Sequence, residues 1–371
     1  EENEIRRFWG TNDAYAEAFV DQSRINSLMS AWMPYFAGIA QLAIVVYGGG
    51  LVLSGEMSVG DLVFFLACLN MLLQPIRMAG NFVTLVQRAA VASRRLFEVF
   101  DQPPEIEDAP NAGVPATVRG QFELRNLSFT YPGADRESLS GINLTIDAGE
   151  SVAIVGRIGS GKSTLLKQFT RIVDTPPGQL FLDGHDIRDY PLAQLRTQVA
   201  QVLQDPFLFG EPLRSNISYD DPDRAVEVIW DSADAAALGP TILEFRLQME
   251  TVVGERGVTL SGGQKQRTTL ARGLIRDAPV LILDDCFSSV DTETEEHILR
   301  RLKAMRGGAT TILVSHRVST LRHADRIVVM DAGRIAEVGT HESLLQAGGL
   351  YAALEAAQTA GDQCRAVEQG S

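Results

Sequence analysis

Two long apolar stretches lie near the beginning of the chain, ahead of a region of mixed character. Residues 25–55 contain no charged side chain, and residues 62–86 are mostly apolar. An α-helix needs about 20 apolar residues to cross the hydrocarbon layer of a bilayer. The second stretch alone could equally be a buried helix, but its apolar neighbour favours a second span. An acidic segment, residues 56–61, separates the stretches, and Arg residues flank them on their outer sides. The pattern predicts a helical hairpin with spans at about 25–54 and 62–86 and both ends cytoplasmic.

Amphipathic helical patterns flank both spans, and a linker follows them. Residues 101–118 are rich in proline and acidic side chains, which end a helical pattern. We therefore expect the transmembrane part to cover residues 1–100 and a separate domain to cover residues 119–357. Residues 358–371 are polar and small, and we expect them to form a flexible tail.

Charge and cysteine content narrow the possible functions. The 371 residues carry a net charge of -14, with a sequence pI near 4.9. Nucleic-acid binding depends on Lys and Arg side chains that displace counterions, so no nucleic-acid partner is expected. The three cysteines lie far apart and indicate neither a metal site nor a disulfide framework. Because the chain begins with Glu1 and has no signal-peptide pattern, we interpret it as a piece of a longer polypeptide.

A phosphate-binding motif lies in the second domain. The strand-like residues 150–155 are followed by the pattern GxxxxGKS, which ends at Ser163 and opens a helix. In this pattern glycines let backbone N–H groups surround the phosphates, Lys162 reaches the β- and γ-phosphates, and the Ser163 hydroxyl binds Mg²⁺. An apolar strand ends in Asp284, whose carboxylate is expected to hold the same Mg²⁺. The predicted ATP-binding residues of the motif are Gly156, Arg157, Ile158, Gly159, Ser160, Gly161, Lys162, Ser163 and Thr164.

Further motifs select a family among the P-loop NTPases. The residues Leu260, Ser261, Gly262, Gly263 and Gln264 resemble the signature motif of ATP-binding cassette (ABC) proteins, and four more residues match cassette motifs in the family's order. The resemblance implies that Tyr131 stacks on adenine, that Gln204 contacts Mg²⁺ and the attacking water, and that His316 lies near the γ-phosphate. It also implies that Asp291 belongs to a loop that crosses the interface between two cassettes.

The same resemblance implies a dimer that exports its substrate. Ser261 and the glycines after it begin a helix and form a second phosphate cradle, which the family places against ATP bound to a partner. Residues 251–257, which include Glu255 and Arg256, resemble the loop of ABC exporters that touches the partner's intracellular helices. Residues 1–100 look like the last two of six membrane helices in a type IV half-transporter.

The implied fold is an α-helical transmembrane hairpin followed by an α/β P-loop NTPase cassette with an inserted helical subdomain at about 206–276. Such a chain would bind ATP and Mg²⁺, lie in the plasma (inner) membrane among lipids and act with a second exporter half. Two helices of the six in each half do not define a substrate, so lipids, drugs and peptides all remain open. A non-transporting ABC ATPase is the alternative that the hairpin disfavours.

The sequence departs from the family at the catalytic base. Exporters usually have Glu directly after the Mg²⁺-binding Asp, whereas this chain has Asp285. The shorter side chain withdraws the carboxylate by about 1.5 Å, the length of one C–C bond. We therefore expect slow hydrolysis at this chain's own site and a heterodimer whose partner carries Glu. A homodimer in which Asp285 is competent and a regulatory cassette that binds ATP without appreciable turnover are the alternatives.

Overall fold

The computed structural model describes residues 2–110, 112–113, 117–254 and 257–369. It divides into two compact units, Glu1–Pro103 and Pro104–Ser371. The first unit consists of two helices, α1 (Glu2–Leu53) and α2 (Val59–Phe100). At about 1.5 Å per residue the 52 residues of α1 extend far beyond a hydrocarbon layer. The predicted spans, about 25–54 and 62–86, fall on α1 and α2, and α1 begins and α2 ends well outside them.

A tight turn and close contacts join the two helices of the first unit. Ser58 caps α2 and forms a capping box with Asp61, so two backbone N–H groups at the helix start are satisfied. The Gln41 side-chain amide donates to Asn70 Oδ1 over 3.1 Å. These contacts fold α1 and α2 into a hairpin.

The hairpin exposes most of its apolar side chains. Pro34–Leu53 is apolar and long enough to cross a membrane, and 11% of it is buried. Within the described residues of α2, the apolar helical part Val59–Leu72 is shorter. Exposed apolar surface of this extent fits an environment of lipid or of further helices.

The second unit is built on two sheets. One is antiparallel, in the order β2-β1-β4-β5, and the other has the order β10-β9-β3-β8-β7-β6. In the larger sheet all neighbouring strands are parallel except β9 and β10. The strands are β1 (Phe122–Phe129), β2 (Leu139–Ile146), β3 (Ser151–Gly156), β4 (Leu180–Leu182), β5 (His185–Asp186), β6 (Val199–Val202), β7 (Val280–Asp284), β8 (Thr310–Val314), β9 (Arg326–Asp331) and β10 (Arg334–Gly339).

Helices cover the faces of the larger sheet. Four of them, α5 to α8, lie within residues 206–276, where the helical subdomain was expected. The helices of this unit are α3 (Lys162–Phe169), α4 (Leu192–Gln198), α5 (Leu213–Ile217), α6 (Val226–Ala235), α7 (Gly239–Glu244), α8 (Gly262–Leu274), α9 (Thr292–Met305), α10 (Val318–Leu321), α11 (His341–Ala347) and α12 (Leu350–Gln369).

Strand β7 separates two apolar cores because side chains alternate along a strand. Val280 and Ile282 pack into the cluster shared with the antiparallel sheet and α3. Leu281 and Leu283 pack into the cluster shared with α5 to α9. A near-continuous apolar run, buried on both faces, is typical of a parallel strand.

The parallel strands bring four chain segments to one edge of the sheet. Because β3, β6, β7 and β8 run in the same direction, the residues that follow them leave from the same edge. These residues are the phosphate-binding loop after Gly156, Gln204 after β6, Asp284 and Asp285 at the end of β7, and His316 after β8.

Parts of the expected linker and of the expected tail belong to the second unit. Residues after Pro104 belong to the second unit. Leu192 N–H donates to Asp108 Oδ1 over 2.7 Å, and the Arg171 guanidinium donates to the Glu107 carbonyl over 3.2 Å. At the other end α12 continues to Gln369, so residues 358–369 of the expected tail are helical. These residues contain no proline, which would end a helix.

Candidate nucleotide-binding site

The phosphate-binding loop runs from the end of β3 to the start of α3. Gly159 and Gly161 have positive φ angles of 82° and 100°, which L side chains rarely adopt. A Cβ on Gly161 would also lie 2.8 Å from the Ser138 carbonyl oxygen. Both glycines are therefore required by the local backbone, and the loop opens towards the first N–H groups of α3.

Lys162 lies buried at the centre of this loop. Its Nζ donates to the carbonyl oxygens of Gly156, over 2.8 Å, and Arg157, over 3.0 Å. Burial lowers the pKa of the ammonium, whereas the nearby carboxylates of Asp284 and Asp285 act to raise it. The ammonium is thus held next to the loop by carbonyl groups that a phosphate can replace.

A cavity of about 580 Å³ lies against the loop and the start of α3. Its lining includes every residue from Gly159 to Thr164, while the Ile158 side chain is exposed to solvent. Tyr131 lies nearby, with its hydroxyl 3.4 Å from Thr164 Oγ1 and its ring packed edge-on against Phe129. The structure therefore brings the residue expected at adenine to the phosphate-binding helix.

Asp284 and Asp285 are adjacent carboxyls at the end of β7. Burial raises the pKa of each of them. The neighbouring Asp285 acts in the same direction on Asp284, and Lys162 and His316 act in the opposite direction on both. Asp285 has a φ of 45°, an unusual conformation for a residue other than glycine. Unusual backbone conformations of this kind are concentrated at functional sites.

The side chain of Asp285 faces two of the predicted catalytic residues. Gln204 Nε2 donates to Asp285 Oδ2 over 3.4 Å. His316 is close enough to act to lower the pKa of the same carboxyl, and the backbone N–H of Asp285 donates to the Val314 carbonyl over 2.9 Å. The three residues predicted to be catalytic are thus neighbours.

The signature residues form the first turn of α8. Ser261 caps the helix: its hydroxyl accepts from Gln264 N–H over 3.3 Å, and its own N–H donates to Gln264 Oε1 over 2.9 Å. A Cβ on Gly263 would lie 2.7 Å from the Ser289 carbonyl oxygen, and one on Gly262 would lie 3.4 Å from Ser289 Oγ. Leu260, just before the cap, is buried. Small residues are needed here because the loop after Asp285 passes close to the helix.

Two side chains that the sequence did not single out hold that loop. The Gln266 side-chain amide donates to Ser288 Oγ over 2.6 Å and accepts from Ser289 N–H over 2.8 Å. From the other side the Arg317 guanidinium donates to the carbonyls of Ser288, over 3.0 Å, and Val290, over 2.6 Å. We call residues 288–290 the bridging loop, because they contact Gln266, which follows the signature, and Arg317, which follows His316.

Arg317 also pairs with a buried acid. Its Nη1 lies 2.8 Å from Glu295 Oε2, and the Glu295 side chain is fully buried. Burial raises the pKa of Glu295, and Arg317 acts to lower it. The Thr320 hydroxyl donates to the other carboxylate oxygen. The spacing of Gln266, Glu295 and Arg317 follows no motif, although Gln266 and Arg317 each follow a motif residue by one or two positions.

Asp291 lies directly after the bridging loop. Asp291 caps α9, where its side chain accepts from Thr294 N–H over 2.9 Å. That hydrogen bond lowers the pKa of Asp291. Glu255 and Arg256, predicted in the exporter loop, lie outside the described residues.

The site fits a nucleoside triphosphate and a hard divalent cation. The glycine loop and Lys162 provide donors for phosphate oxygens, and the adjoining cavity is large enough for a nucleotide. Ser163, Gln204 and Asp284 could offer oxygen ligands, the type that Mg²⁺ prefers. Within the described residues no three His, Cys, Asp or Glu side chains are grouped to hold a metal.

Comparison with known families and proteins gives matches over both units. A family model described as ABC transporter matches residues 139–288, and one described as ABC transporter transmembrane region matches residues 1–76. An ATP-dependent lipid A-core flippase of Syntrophus aciditrophicus is 40% identical over 351 residues. A putative multidrug export ATP-binding/permease protein of Bacillus subtilis is 38% identical over 351 residues.

The structural match extends over almost the whole chain. A bacterial Atm1-family ABC exporter solved with ATP bound has a TM-score of 0.85 and 34% sequence identity, over 96% of this chain and 63% of its own. The two sequence relatives are matched over 95% of this chain, which spans 58% and 60% of their lengths.

Proposed function

Because the chain belongs to the ABC transporter family and carries its transmembrane region and ATPase cassette, we propose that it is the ATP-driven subunit of an exporter. The observation that carries the proposal is the meeting of the P-loop, Asp284, Gln204 and His316 at one edge of the parallel sheet. ATP binding between two cassettes would close them, and hydrolysis would reset them.

The residues of this site have distinct parts in the proposed reaction. Lys162 would exchange its two carbonyl partners for the β- and γ-phosphates, and the N–H groups of the loop would bind the same oxygens. Tyr131 would stack on adenine. When bound by Ser163 and Asp284 with Gln204, Mg²⁺ would neutralise charge on the phosphates. His316 would contact the γ-phosphate, and Asp285 would orient the attacking water.

The proposed weakness of the site lies in Asp285. Its side chain is about one C–C bond shorter than the family's usual Glu, and its carboxylate already accepts from the Gln204 side chain. A base must reach the proton that it removes, and a misplacement of about 1 Å can reduce a rate on the order of 100-fold. We therefore propose slow hydrolysis at this site and a heterodimer in which the partner provides the competent base.

The other half of each composite site would come from the opposite chain. Residues Ser261 to Gln264 would bind the γ-phosphate of ATP held by the partner, and the partner's signature would face Lys162 here. Asp291 would lie at the interface, and Glu255 and Arg256 would contact the partner's intracellular helices. A cassette with an intact signature and a weakened base still serves the partner's hydrolysis.

The membrane setting and substrate follow from the hairpin and the relatives. The apolar hairpin supports a place in the plasma (inner) membrane with both ends cytoplasmic. The names of the relatives, a lipid A-core flippase and a putative multidrug export protein, support a lipid-like or amphipathic substrate. The transported molecule would cross between two such halves.

ATP hydrolysis by the full-length protein, purified without a partner, tests the proposal. Wild type, Asp285→Glu and the Lys162→Ala background control are compared at saturating ATP. We expect wild type to lie close to the Lys162→Ala background. Asp285→Glu should turn over on the order of 10-fold faster than wild type, because the longer side chain restores the reach of the base.

Two results would contradict the proposal in different ways. Wild-type turnover far above the Lys162→Ala background would make Asp285 a competent base and favour a homodimeric exporter. Background turnover by both wild type and Asp285→Glu, with ATP still bound, would favour a regulatory cassette.

A further inference from the structure

Helix α12 is firmly joined to the cassette at its beginning. The Glu337 carboxylate of β10 accepts from the N–H groups of Leu350 and Tyr351. The Tyr351 side chain is 1% exposed, and its hydroxyl lies 2.8 Å from His341 Nδ1. Tyr351 belongs to an apolar cluster with Val155 of β3. The first turns of α12 are therefore part of the domain core.

One side chain of α12 reaches the segment that carries His316. Gln358 Oε1 accepts from the backbone N–H of Val318 over 3.1 Å. Val318 is the first residue of α10, whose N-cap residue Arg317 provides no side-chain cap. The first N–H groups of a helix have no partner inside the helix, so Gln358 caps α10 from a distance of 40 residues in the sequence.

The Gln358 contact lies beside the catalytic residues. A small cavity of about 60 Å³ is lined by Gly156 and His316 on one side and by Glu355 and Gln358 of α12 on the other. Glu355 also lies 3.9 Å from the Arg322 guanidinium, just after α10. Thus α12 faces both the start of the P-loop and the residues around His316.

The segment 316–318 is held by side chains from elsewhere. The Val318 N–H donates to Gln358 of α12. Arg317 is held by Glu295 of α9 and by the bridging loop. The bridging loop also contacts Gln266 of the signature helix, whereas Gln358 belongs to a different part of the chain.

We propose that Gln358 is a positioning residue for ATP hydrolysis, which fixes the direction of the His316 segment towards the γ-phosphate. The proposal rests on the proposed function, in which His316 contacts that phosphate. Removal of the cap frees the start of α10 and lets the segment move away from the nucleotide. Because Gln358 touches no nucleotide, its loss reduces turnover and leaves ATP binding intact. Helix α12 then belongs to the ATPase machinery.

The kinetic test uses Gln358→Ala, Gln358→Glu and Thr359→Ala in the full-length protein. The background is whichever of wild type and Asp285→Glu hydrolyses ATP faster, so that a failure of the Asp285 proposal leaves this test available. Gln358→Ala should reduce kcat on the order of 5-fold, as expected for the loss of a helix cap, with KM for ATP unchanged. Gln358→Glu keeps an acceptor oxygen and should retain turnover. Thr359 is exposed, donates only within α12 and serves as the matched control.

Hydrogen exchange provides a second measurement that does not depend on turnover. In the presence of ATP and Mg²⁺, peptides covering residues 316–321 should be protected in wild type and in Thr359→Ala. Gln358→Ala should lose that protection while the P-loop peptide, residues 156–164, keeps its own. Such a result supports positioning, because a general loss of structure would affect both peptides.

Three results would overturn the proposal. The first is an unchanged kcat for Gln358→Ala in a background variant that hydrolyses ATP. The second is a parallel loss of ATP binding and of hydrogen-exchange protection in the P-loop, because it would make Gln358 a structural residue. If neither background hydrolyses ATP, unchanged ATP-dependent protection of residues 316–321 in Gln358→Ala decides against it.

Discussion

The P-loop side and the signature side of the cassette are built in opposite ways. On the P-loop side, buried charged groups dominate, and burial shifts the pKa values of Lys162, Asp284 and Asp285. On the signature side no residue from 260 to 264 is titratable. Ser261 and Gln264 satisfy each other in a capping box. In the proposed function the first side must therefore exchange partners when nucleotide binds, whereas the signature side is already arranged to meet the partner's ATP.

The bridging loop 288–290 contacts both sides, through neutral groups on the signature side and through a charged group on the P-loop side. Gln266, on the signature helix, holds it through neutral hydrogen bonds. Arg317, beside His316, holds it through a charged group that is paired with buried Glu295. A change at either side can thus reach the other through three residues. The difference in charge predicts that the two contacts respond differently to mutation and to pH.

The largest expected effect is that of Arg317→Ala. This change leaves the Glu295 carboxylate buried without its ion-pair partner, which costs about 3–5 kcal/mol when one member of a buried pair is removed. Burial already raises the pKa of Glu295, and loss of Arg317 raises it further. The cost is therefore fully present above that raised pKa and falls as pH decreases through it, because protonation removes the buried charge. Urea unfolding at about pH 8 and about pH 5 measures the difference.

The double variant Glu295→Gln/Arg317→Ala is the control for this prediction. It removes both charges and should recover most of the stability lost at about pH 8, with little dependence on pH. Equal destabilisation of Arg317→Ala at both pH values would show that the lost contacts to the bridging loop, and not the unpaired carboxylate, determine the effect.

A smaller effect is expected on the signature side, from Gly263→Ala compared with Gly262→Ala. A Cβ at Gly263 would lie 2.7 Å from a backbone oxygen of Ser289, whereas one at Gly262 would lie 3.4 Å from a hydroxyl that can rotate away. Overpacking costs about 1–3 kcal/mol, and replacing helical glycine by alanine returns up to about 1 kcal/mol. We expect Gly263→Ala to lower the Tm by a few degrees and Gly262→Ala to leave it unchanged or raise it.

The two glycine variants also control for each other, because both add one methyl group to the same helix turn. If they change the Tm equally, the bridging loop is not tightly packed against α8. In that case the comparison between a preformed signature side and an adaptable P-loop side would lose its structural basis.

The sequence predicted the residues whose roles depend on local spacing. The P-loop, Asp284 and the order of the later motifs are read from adjacent positions, and the parallel strands then bring them to one edge. It did not predict Gln266, Glu295 and Arg317, because a buried amide or ion pair depends on which distant segments meet. Gln266 bonds residues 22 and 23 positions away, and Glu295 pairs 22 positions away.

The helix that runs into the expected tail was not predicted for a related reason. Residues 358–371 are polar and small. This composition is compatible both with a flexible end and with a helix that packs on a domain through one face. The helix is instead joined to the domain through Glu337 of β10 and Tyr351 in the first turn of α12. Both residues lie before the tail. Composition within the tail could not reveal an anchor outside it.

The smallest expected effect belongs to the outer edge of the P-loop side, in Tyr131→Phe. The hydroxyl lies 3.4 Å from Thr164 Oγ1 and 3.5 Å from Lys167 Nζ, long separations for hydrogen bonds. The ring itself packs against Phe129, with 5.0 Å between centroids. Tyr131→Phe keeps this ring, so the Kd for ATP should change less than about 2-fold, whereas Tyr131→Ala should raise it on the order of 10-fold through lost stacking. Fluorescent nucleotide titration separates the two variants. A large change in the affinity of Tyr131→Phe for ATP would instead assign the hydroxyl a polar contact with the nucleotide. Polar contacts would then determine nucleotide binding at Tyr131 as they do at Lys162.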